Sequence, residues 1–183
     1  MSNIYKSIYK FYPKNISAFS KEYDLSSENI LFEKTISRNL PGWQKLYREC
    51  LKLYGSSHIE DRSNNEPSHI ITLLIPNKNE NHIIAFYISK IINKYCFRST
   101  NIGPDITIAN YPNQFNEGEK RWNYIDPRLM SEISNLKNLI SKYFSDYSVF
   151  HENLDEVVDD VSSRSCDLGY ANLFHLFFSN YLY

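Results

Sequence analysis

The clearest hydrophobic periodicity in the chain lies between Trp43 and Tyr54. Apolar side chains recur there at spacings of three and four residues, the repeat of one buried helix face: Trp43, Leu46, Tyr47, Cys50, Leu51 and Tyr54. Gly55 stands where a helix C-terminal cap belongs, and Pro41 suits the first turn. The pattern predicts a helix that packs on the core.

Two apolar runs follow, His69–Ile75 and Ile83–Ile92, and both are rich in β-branched and aromatic residues. The Asn-rich connection between them, Asn77–Asn81, predicts a β-hairpin. Because the runs are almost continuously apolar, we expect both strands to be central and covered on both faces. The second run can continue through Tyr95–Phe97 as a bent or bulged strand, and the alternating segment Asp105–Ala109 predicts a third strand.

Two more helices are predicted in the second half of the chain. After a long loop, Asn110–Asn123, the pair Asp126-Pro127 supplies an N-cap and a first-turn proline. The helix that follows has an apolar stripe made of Leu129, Ile133, Leu136, Ile140 and Phe144. A last helix is expected from about Ala171 to the end of the sequence. We therefore predict one domain, residues 1–183, of the α+β class, with an antiparallel sheet centred on a long hairpin and flanked by several helices.

Composition places the chain among globular proteins. It has 183 residues, 42% of them hydrophobic, and a formal net charge of −1. No stretch approaches the roughly 20 continuous apolar residues of a membrane span, and the Lys/Tyr-rich start lacks the apolar core of a secretion signal. The three cysteines are dispersed, which favours reduced thiols. We expect a cytoplasmic protein with no membrane partner.

Catalytic and metal-binding motifs are not recognisable in the sequence. The histidines are scattered, no Gly-x-Ser-x-Gly elbow occurs, and the isolated glycines cannot form a phosphate-binding loop. His69 and His82 could face each other across the hairpin, and Cys50 and Ser89 fall in apolar elements. We expect no enzyme activity, no cofactor and no metal. An unrecognised hydrolytic site near His151 and the neighbouring Glu152 remains as an alternative.

The start of the chain leaves a second alternative open. Lys6, Lys10 and Lys14 alternate there with tyrosines, a composition found in modules that bind single-stranded nucleic acid. The same pattern also suits an amphipathic first element that docks on the core, and we favour that interpretation because the sequence pI is only about 6.5. We therefore expect no direct nucleic-acid partner.

The strongest feature of the charge distribution is an acidic run from Asp146 to Asp167. These 22 residues hold seven carboxylates against one basic residue, Arg164. Five of the carboxylates fall within nine residues: Glu152, Asp155, Glu156, Asp159 and Asp160. Interleaved apolar residues (Leu154, Val157, Val158 and Val161) also allow a plain amphipathic helix with a solvated acidic side. However, closely spaced like charges repel each other, and a cationic partner would relieve that repulsion.

Two stretches carry a resemblance to a known family. The first is Phe86–Phe97 (FYISKIINKYCF), and the second is Tyr170–Phe178 (YANLFHLFF). Both are similar to segments of small bacterial immunity proteins of polymorphic toxin systems, which include the partners of contact-dependent growth-inhibition toxins. A helix like Arg128–Phe144 and an acidic stretch are also common in these proteins. The resemblance covers residues 68–183 in patches.

The resemblance implies a cytoplasmic immunity protein that binds a cognate toxin domain and blocks its active site. Many such toxins are nucleases with basic clefts, which an acidic surface would complement. Immunity proteins differ in their contact residues, so our contact residues come from the charge argument alone. They are the five clustered carboxylates, Glu152, Asp155, Glu156, Asp159 and Asp160, with Trp122 and Tyr124 as aromatic anchors.

Overall fold

A computed structural model describes residues 3–63, 66–104 and 127–179. The fold is α+β, as predicted. Within the described residues, five strands form one sheet in the order β1-β2-β3-β4-β5, and every neighbouring pair is antiparallel except β4 and β5. The strands are β1 (Ile59–Asp61), β2 (Ser68–Ile75), β3 (Asn81–Ser89), β4 (Lys94–Ile102) and β5 (Ser148–Val149).

The helices lie on both sides of this sheet. They are α1 (Asn3–Phe11), α2 (Lys21–Leu25), α3 (Ser27–Ile36), α4 (Trp43–Tyr54), α5 (Met130–Tyr143) and α6 (Leu173–Phe177). Helix α4 has the predicted bounds, and Gly55 is its C-cap. Within the described residues, no helix has the length and apolar character needed to cross a membrane.

The predicted hairpin is present as β2 and β3. Every residue of β3 is buried, and seven of the eight residues of β2 are buried, so the strands are central and covered on both faces as expected. The register pairs His69 with Ile88 and His82 with Ile75. The two histidines therefore lie at opposite ends of the hairpin, and the expectation that they could face each other is wrong.

The predicted continuation of the second run through Tyr95–Phe97 is also wrong, because these residues belong to a separate strand. The chain turns after β3 and returns as β4, antiparallel to it. The turn has no glycine or proline. Instead, the Ser89 hydroxyl accepts hydrogen bonds from the backbone N–H groups of Ile91 and Ile92, at 3.2 and 3.3 Å. The two N–H groups of the turn are thus satisfied by a side-chain oxygen, and not by a backbone carbonyl of a neighbouring strand.

Three other predictions concern the less regular parts of the chain. Helix α5 follows a 3₁₀ turn at Pro127–Leu129. The predicted apolar stripe of this helix is buried. The proposed N-cap, Asp126, lies outside the described residues. The strand at 105–109 and the loop at 110–123 also fall outside them. The last helix is shorter than expected, because Asn172 caps it only at Leu173 and it ends at Phe177.

The two faces of the sheet are covered by different layers. On one face, α4 and α5 pack against alternate residues of the hairpin, among them Ile84, Phe86 and Ile88. On the other face, α1, α3 and α6 pack against Ala85 and Tyr87, together with apolar residues of the acidic run: Leu154, Val158 and Val161. The acidic run is therefore part of the second layer of the fold.

A glycine allows α4 and α5 to approach closely. Gly42, the N-cap of α4, has a φ of +94°, and a Cβ built there would lie 2.9 Å from the Tyr143 carbonyl oxygen. Gly169 has a similar φ of +80°, but a Cβ there would meet nothing within 4 Å. The two positions share the backbone conformation and differ in the contact.

We predict that Gly42→Ala lowers the free energy of unfolding by about 2–4 kcal/mol, because it combines backbone strain with a steric clash. Gly169→Ala, the matched control, carries the strain alone and should cost about 1 kcal/mol. Urea denaturation of both variants measures the difference. Equal losses would show that the helices do not approach each other as described.

His69 is held in its neutral form inside the protein. Its Nε2 accepts a hydrogen bond from the Leu40 backbone N–H at 3.2 Å, and its ring stacks on Trp43 with centroids 4.3 Å apart. A proton on Nε2 would break the bond to Leu40. Burial, followed by the nearby charge of Lys90, lowers the pKa of His69 to about 3.

We predict that His69 makes the protein less stable in acid. Between pH 6.5 and about 3, the unfolded chain protonates this histidine while the folded protein does not, so stability falls as pH falls. His69→Gln, which can still accept from Leu40, should reduce the loss of unfolding free energy between pH 7 and pH 4.5 by about 2–3 kcal/mol. Urea denaturation at both pH values tests this, with His151→Gln as the exposed control. The same acid sensitivity in wild type and His69→Gln would contradict it.

Candidate functional site in the acidic segment

The acidic segment, residues 151–167, is not a helix. Its backbone forms turns and two isolated bridges, Val157 with Asn172 and Ser163 with Cys166. The N–H of Val158 donates to the Ala171 carbonyl at 2.9 Å, and the N–H of Leu173 donates to the Glu156 carbonyl at 3.0 Å. The amphipathic-helix alternative is therefore wrong, because these backbone groups bond to the chain leading into α6.

The segment buries three of its four interleaved apolar residues and leaves the fourth, Val157, 44% exposed. Leu154, Val158 and Val161 are buried in the core layer, where Val161 is fully covered. Most of the clustered carboxylates are exposed (Glu152, Asp155, Glu156 and Asp159), whereas Asp160 is half-buried. Because the backbone is anchored on its buried side, the carboxylates extend from an ordered surface and not from a loose tail.

Helix α1 is docked on this segment by polar contacts. The Tyr5 hydroxyl donates to Glu156 Oε1 at 2.7 Å, and the Tyr9 hydroxyl lies 3.1 Å from both carboxylate oxygens of Asp160. Lys14 Nζ forms an ion pair with Asp160 at 3.2 Å and sits 3.7 Å from the Tyr9 ring centroid. The hydrogen bond to Asp160 raises the pKa of Lys14, and the hydrogen bond to Glu156 raises that of Tyr5.

These contacts bear on the two interpretations of the Lys/Tyr-rich start. The first element is a helix that docks on the core, with Ile8 and Phe11 buried. Tyr5, Tyr9 and Lys14 serve internal contacts, so they are already engaged within the protein. This arrangement agrees with the docking interpretation and gives no support to a nucleic-acid surface built from these residues.

The acidic segment is only partly neutralised by the protein itself. In residues 3–63, 66–104 and 127–179, Asp160 is the one member of the five clustered carboxylates that forms an ion pair. Arg164, the basic residue of the run, pairs instead with Glu33 on α3. Glu152, Asp155 and Asp159 are exposed and form no ion pair with the described part of the chain. Four of the five clustered carboxylates are therefore without an ion pair within these ranges, and Asp160 is paired with Lys14.

Exposed aromatic side chains are a further feature of this surface. Trp122 and Tyr124 lie outside the described residues. Two other aromatic side chains are strongly exposed close to the acidic segment, Tyr170 at 74% and Phe19 at 70%. Tyr170 follows Gly169 in a turn, and a glycine-containing turn is a signal for a surface position that the sequence analysis did not use.

A shallow groove lies between α1 and the acidic segment. It has a volume of about 270 Å³ and is lined by Asn3, Ile4, Tyr5, Glu152, Glu156 and Leu173. Pockets for small-molecule substrates usually enclose about 300–1,000 Å³ and cover most of the ligand. An open groove of this size suits one protruding side chain better than a substrate.

The region of the alternative hydrolytic site contains no catalytic arrangement in the described residues. His151 is exposed, and its backbone N–H donates a hydrogen bond to Glu152 Oε2 at 3.3 Å. The described ranges also contain no group of three or more histidine, cysteine or carboxylate side chains able to hold a metal ion. Among the described residues, the geometry brings no nucleophilic side chain into a hydrogen bond with the His151 ring.

A thiol and an imidazole do meet nearby. Cys166 Sγ lies 3.3 Å from His175 Nδ1 in the layer beneath the acidic segment. Burial raises the pKa of the Cys166 thiol and lowers that of His175 to about 4, so both groups are neutral at physiological pH. A nucleophilic cysteine needs the opposite shifts. The pair is a buried contact, and the same His175 Nδ1 accepts from the Asn172 N–H in the N-terminal cap of α6.

Comparisons of the chain with protein-family models, with curated proteins and with solved structures found no match.

We predict that all three cysteines are unreactive in the folded protein. Each is buried, and burial raises the pKa of Cys50 and of Cys96 to about 12. Thiol titration with a disulfide reagent at pH 8 should proceed at least about tenfold more slowly in native protein than in denaturant. Cys166→Ser is the control that isolates the thiol next to His175. A fast phase of thiol reaction in the native protein that disappears in this variant would contradict the prediction and favour a cysteine-based hydrolytic site.

Proposed function

We propose that this protein is an immunity protein that binds a basic toxin domain, of the nuclease class, and occludes its active site. The observation that carries the proposal is the ordered row of exposed carboxylates, Glu152, Asp155 and Asp159, which have no ion pair within the described residues. The sequence resemblance of residues 68–183 to immunity proteins supports the same conclusion.

Such a function requires shape and charge but no chemical step. A nuclease cleft presents lysines and arginines to the phosphates of its substrate, and an anchored acidic surface can occupy the same positions. Because the backbone of the segment is bonded to the chain before α6, little conformational freedom is lost when it binds. The acidic segment would thus act as a preorganised mimic of the substrate's charge.

Two of the proposed contact residues also make contacts within the protein. Asp160 is committed to Lys14 and Tyr9, so its role is to position α1 against the segment. Glu156 is shared, since one of its oxygens accepts from Tyr5 while its side chain lines the exposed groove. The contacts with a partner would therefore come mainly from Glu152, Asp155, Glu156 and Asp159.

We predict that neutralising three exposed carboxylates, by Glu152→Gln, Asp155→Asn and Asp159→Asn together, abolishes protection. The test co-expresses this chain with the C-terminal domain encoded by the adjoining upstream reading frame and measures growth. The wild-type protein should restore growth, and the triple variant should not. The matched control, Glu22→Gln with Asp24→Asn and Glu28→Gln, removes the same charge from α2 and α3 and should protect normally.

The association rate provides the second readout of the same experiment. Electrostatic steering predicts that the rate constant falls at least about tenfold between about 50 mM and about 500 mM salt. The triple variant should associate more slowly and lose most of this salt dependence, which surface plasmon resonance measures directly. An upstream domain that is not toxic, or a triple variant that binds and protects like the wild type, would contradict the proposed function.

A further inference from the structure

The groove between α1 and the acidic segment has walls from three separate elements. Its lining residues come from the first turn of α1, from the acidic segment and from the start of α6: Asn3, Ile4, Tyr5, Glu152, Glu156 and Leu173. The Tyr5 hydroxyl joins two of these walls, since it donates to Glu156 Oε1 at 2.7 Å, from a residue 151 positions away. The groove is therefore a product of the tertiary fold.

The walls of the groove are fixed by the protein itself. The Leu173 N–H donates to the Glu156 carbonyl, and the Phe174 N–H donates to the Leu154 carbonyl, both at 3.0 Å. A turn lies between the two glutamates of the lining, closed by the Glu156 N–H donating to the Asn153 carbonyl at 3.1 Å. A side chain that enters the groove would thus meet a surface that is already ordered.

The lining combines apolar side chains with two carboxylates. Leu173 is 1% exposed, and Ile4 and Tyr5 pack against the same core cluster. Glu152 and Glu156 are exposed and form no ion pair in the described part of the chain. An occupant that satisfies both kinds of surface has an apolar stem and a cationic end, and lysine and arginine are the side chains built in this way.

The hydrogen bonds that the two glutamates already accept favour lysine over arginine. Glu156 Oε1 accepts from the Tyr5 hydroxyl, and Glu152 Oε2 accepts from the His151 N–H at 3.3 Å. Within the described residues, each glutamate thus has one oxygen engaged and one that accepts no hydrogen bond. Arginine gains most by pairing with both oxygens of one carboxylate, whereas an ammonium group donates in three directions from one point. Two single oxygens on separate residues match the ammonium group.

We propose that this groove binds one lysine side chain of the basic partner. The inference rests on the proposed function and names the residue type that anchors the partner. The four-carbon stem of the lysine lies against Ile4 and Leu173, and its ammonium group donates to the available oxygens of Glu152 and Glu156. The other exposed carboxylates of the segment do not line the groove and act through their charge alone.

Fluorescence anisotropy with labelled nona-lysine and nona-arginine peptides tests this proposal. Asn3→Trp places a large ring at the groove and changes no charge, because Asn3 is an exposed residue of the lining. It should weaken the binding of nona-lysine about three- to tenfold and that of nona-arginine less than about twofold. Asn138→Trp makes the same exchange at an exposed position of α5, on the opposite face of the sheet. This control should bind both peptides like the wild type.

Two double variants separate the groove from the general charge of the segment. Glu152→Gln with Glu156→Gln removes both carboxylates of the groove, and glutamine can still accept from Tyr5. Asp155→Asn with Asp159→Asn removes the same charge from the same segment outside the groove. The first variant should weaken nona-lysine binding at least about threefold more than the second, which should weaken both peptides alike. Circular dichroism and urea denaturation verify the fold of each variant.

The outcomes separate this inference from the proposed function. Nona-lysine binding that survives Asn3→Trp, or equal effects of the two double variants, would overturn the lysine site alone. Wild-type protein that binds neither peptide would count against both proposals, because both need exposed negative charge. A chain that passes the groove tests and yet fails to protect against the upstream domain would keep the lysine site and contradict only the immunity function.

Discussion

Burial of the β2–β3 hairpin on both of its faces is the constraint on which the rest of this structure depends. All nine residues of β3 are buried, and apolar side chains project alternately toward two layers. One layer is supplied by α4 and α5, whose stripes are conventional amphipathic faces. The other layer is assembled from short helices and from the acidic segment. Without both layers, the hairpin would leave a large apolar surface in water.

This constraint explains how a dense row of carboxylates can be part of an ordered surface. Leu154, Val158 and Val161 are needed to complete the second layer, so they fix the backbone of the segment against the core. The carboxylates between them are then directed outward. Two tyrosines of helix α1, together with Lys14 after it, relieve part of the repulsion, and the remaining carboxylates are those that we propose for contact with a cationic partner. The stability of the layer and the proposed binding surface thus use different side chains of the same segment.

The candidate site combines features that the sequence showed with others that it did not. The acidic residues were identified from their density alone, because charge is visible in any local window. The role of Asp160 was not identified in this way, because its partners Lys14 and Tyr9 are about 150 positions away in the chain. The exposure of Tyr170 was also missed, because the apolar residues around it favoured a core position and the turn signal of Gly169 was not used.

Local periodicity, capping residues and turn composition are enough to predict the hairpin, α4, α5 and the α+β class from the sequence. They do not reveal that Tyr95 and Phe97 belong to a separate strand, because the turn before that strand depends on hydrogen bonds that the Ser89 hydroxyl accepts from the backbone N–H groups of Ile91 and Ile92. Only the tertiary structure made the acidic segment non-helical. Its spacing of apolar residues permits a helix, but its backbone pairs instead with the start of α6 and the residues before it: the Val158 N–H donates to the Ala171 carbonyl, and the Glu156 carbonyl accepts from the Leu173 N–H. Such long-range pairing leaves no local pattern in the sequence.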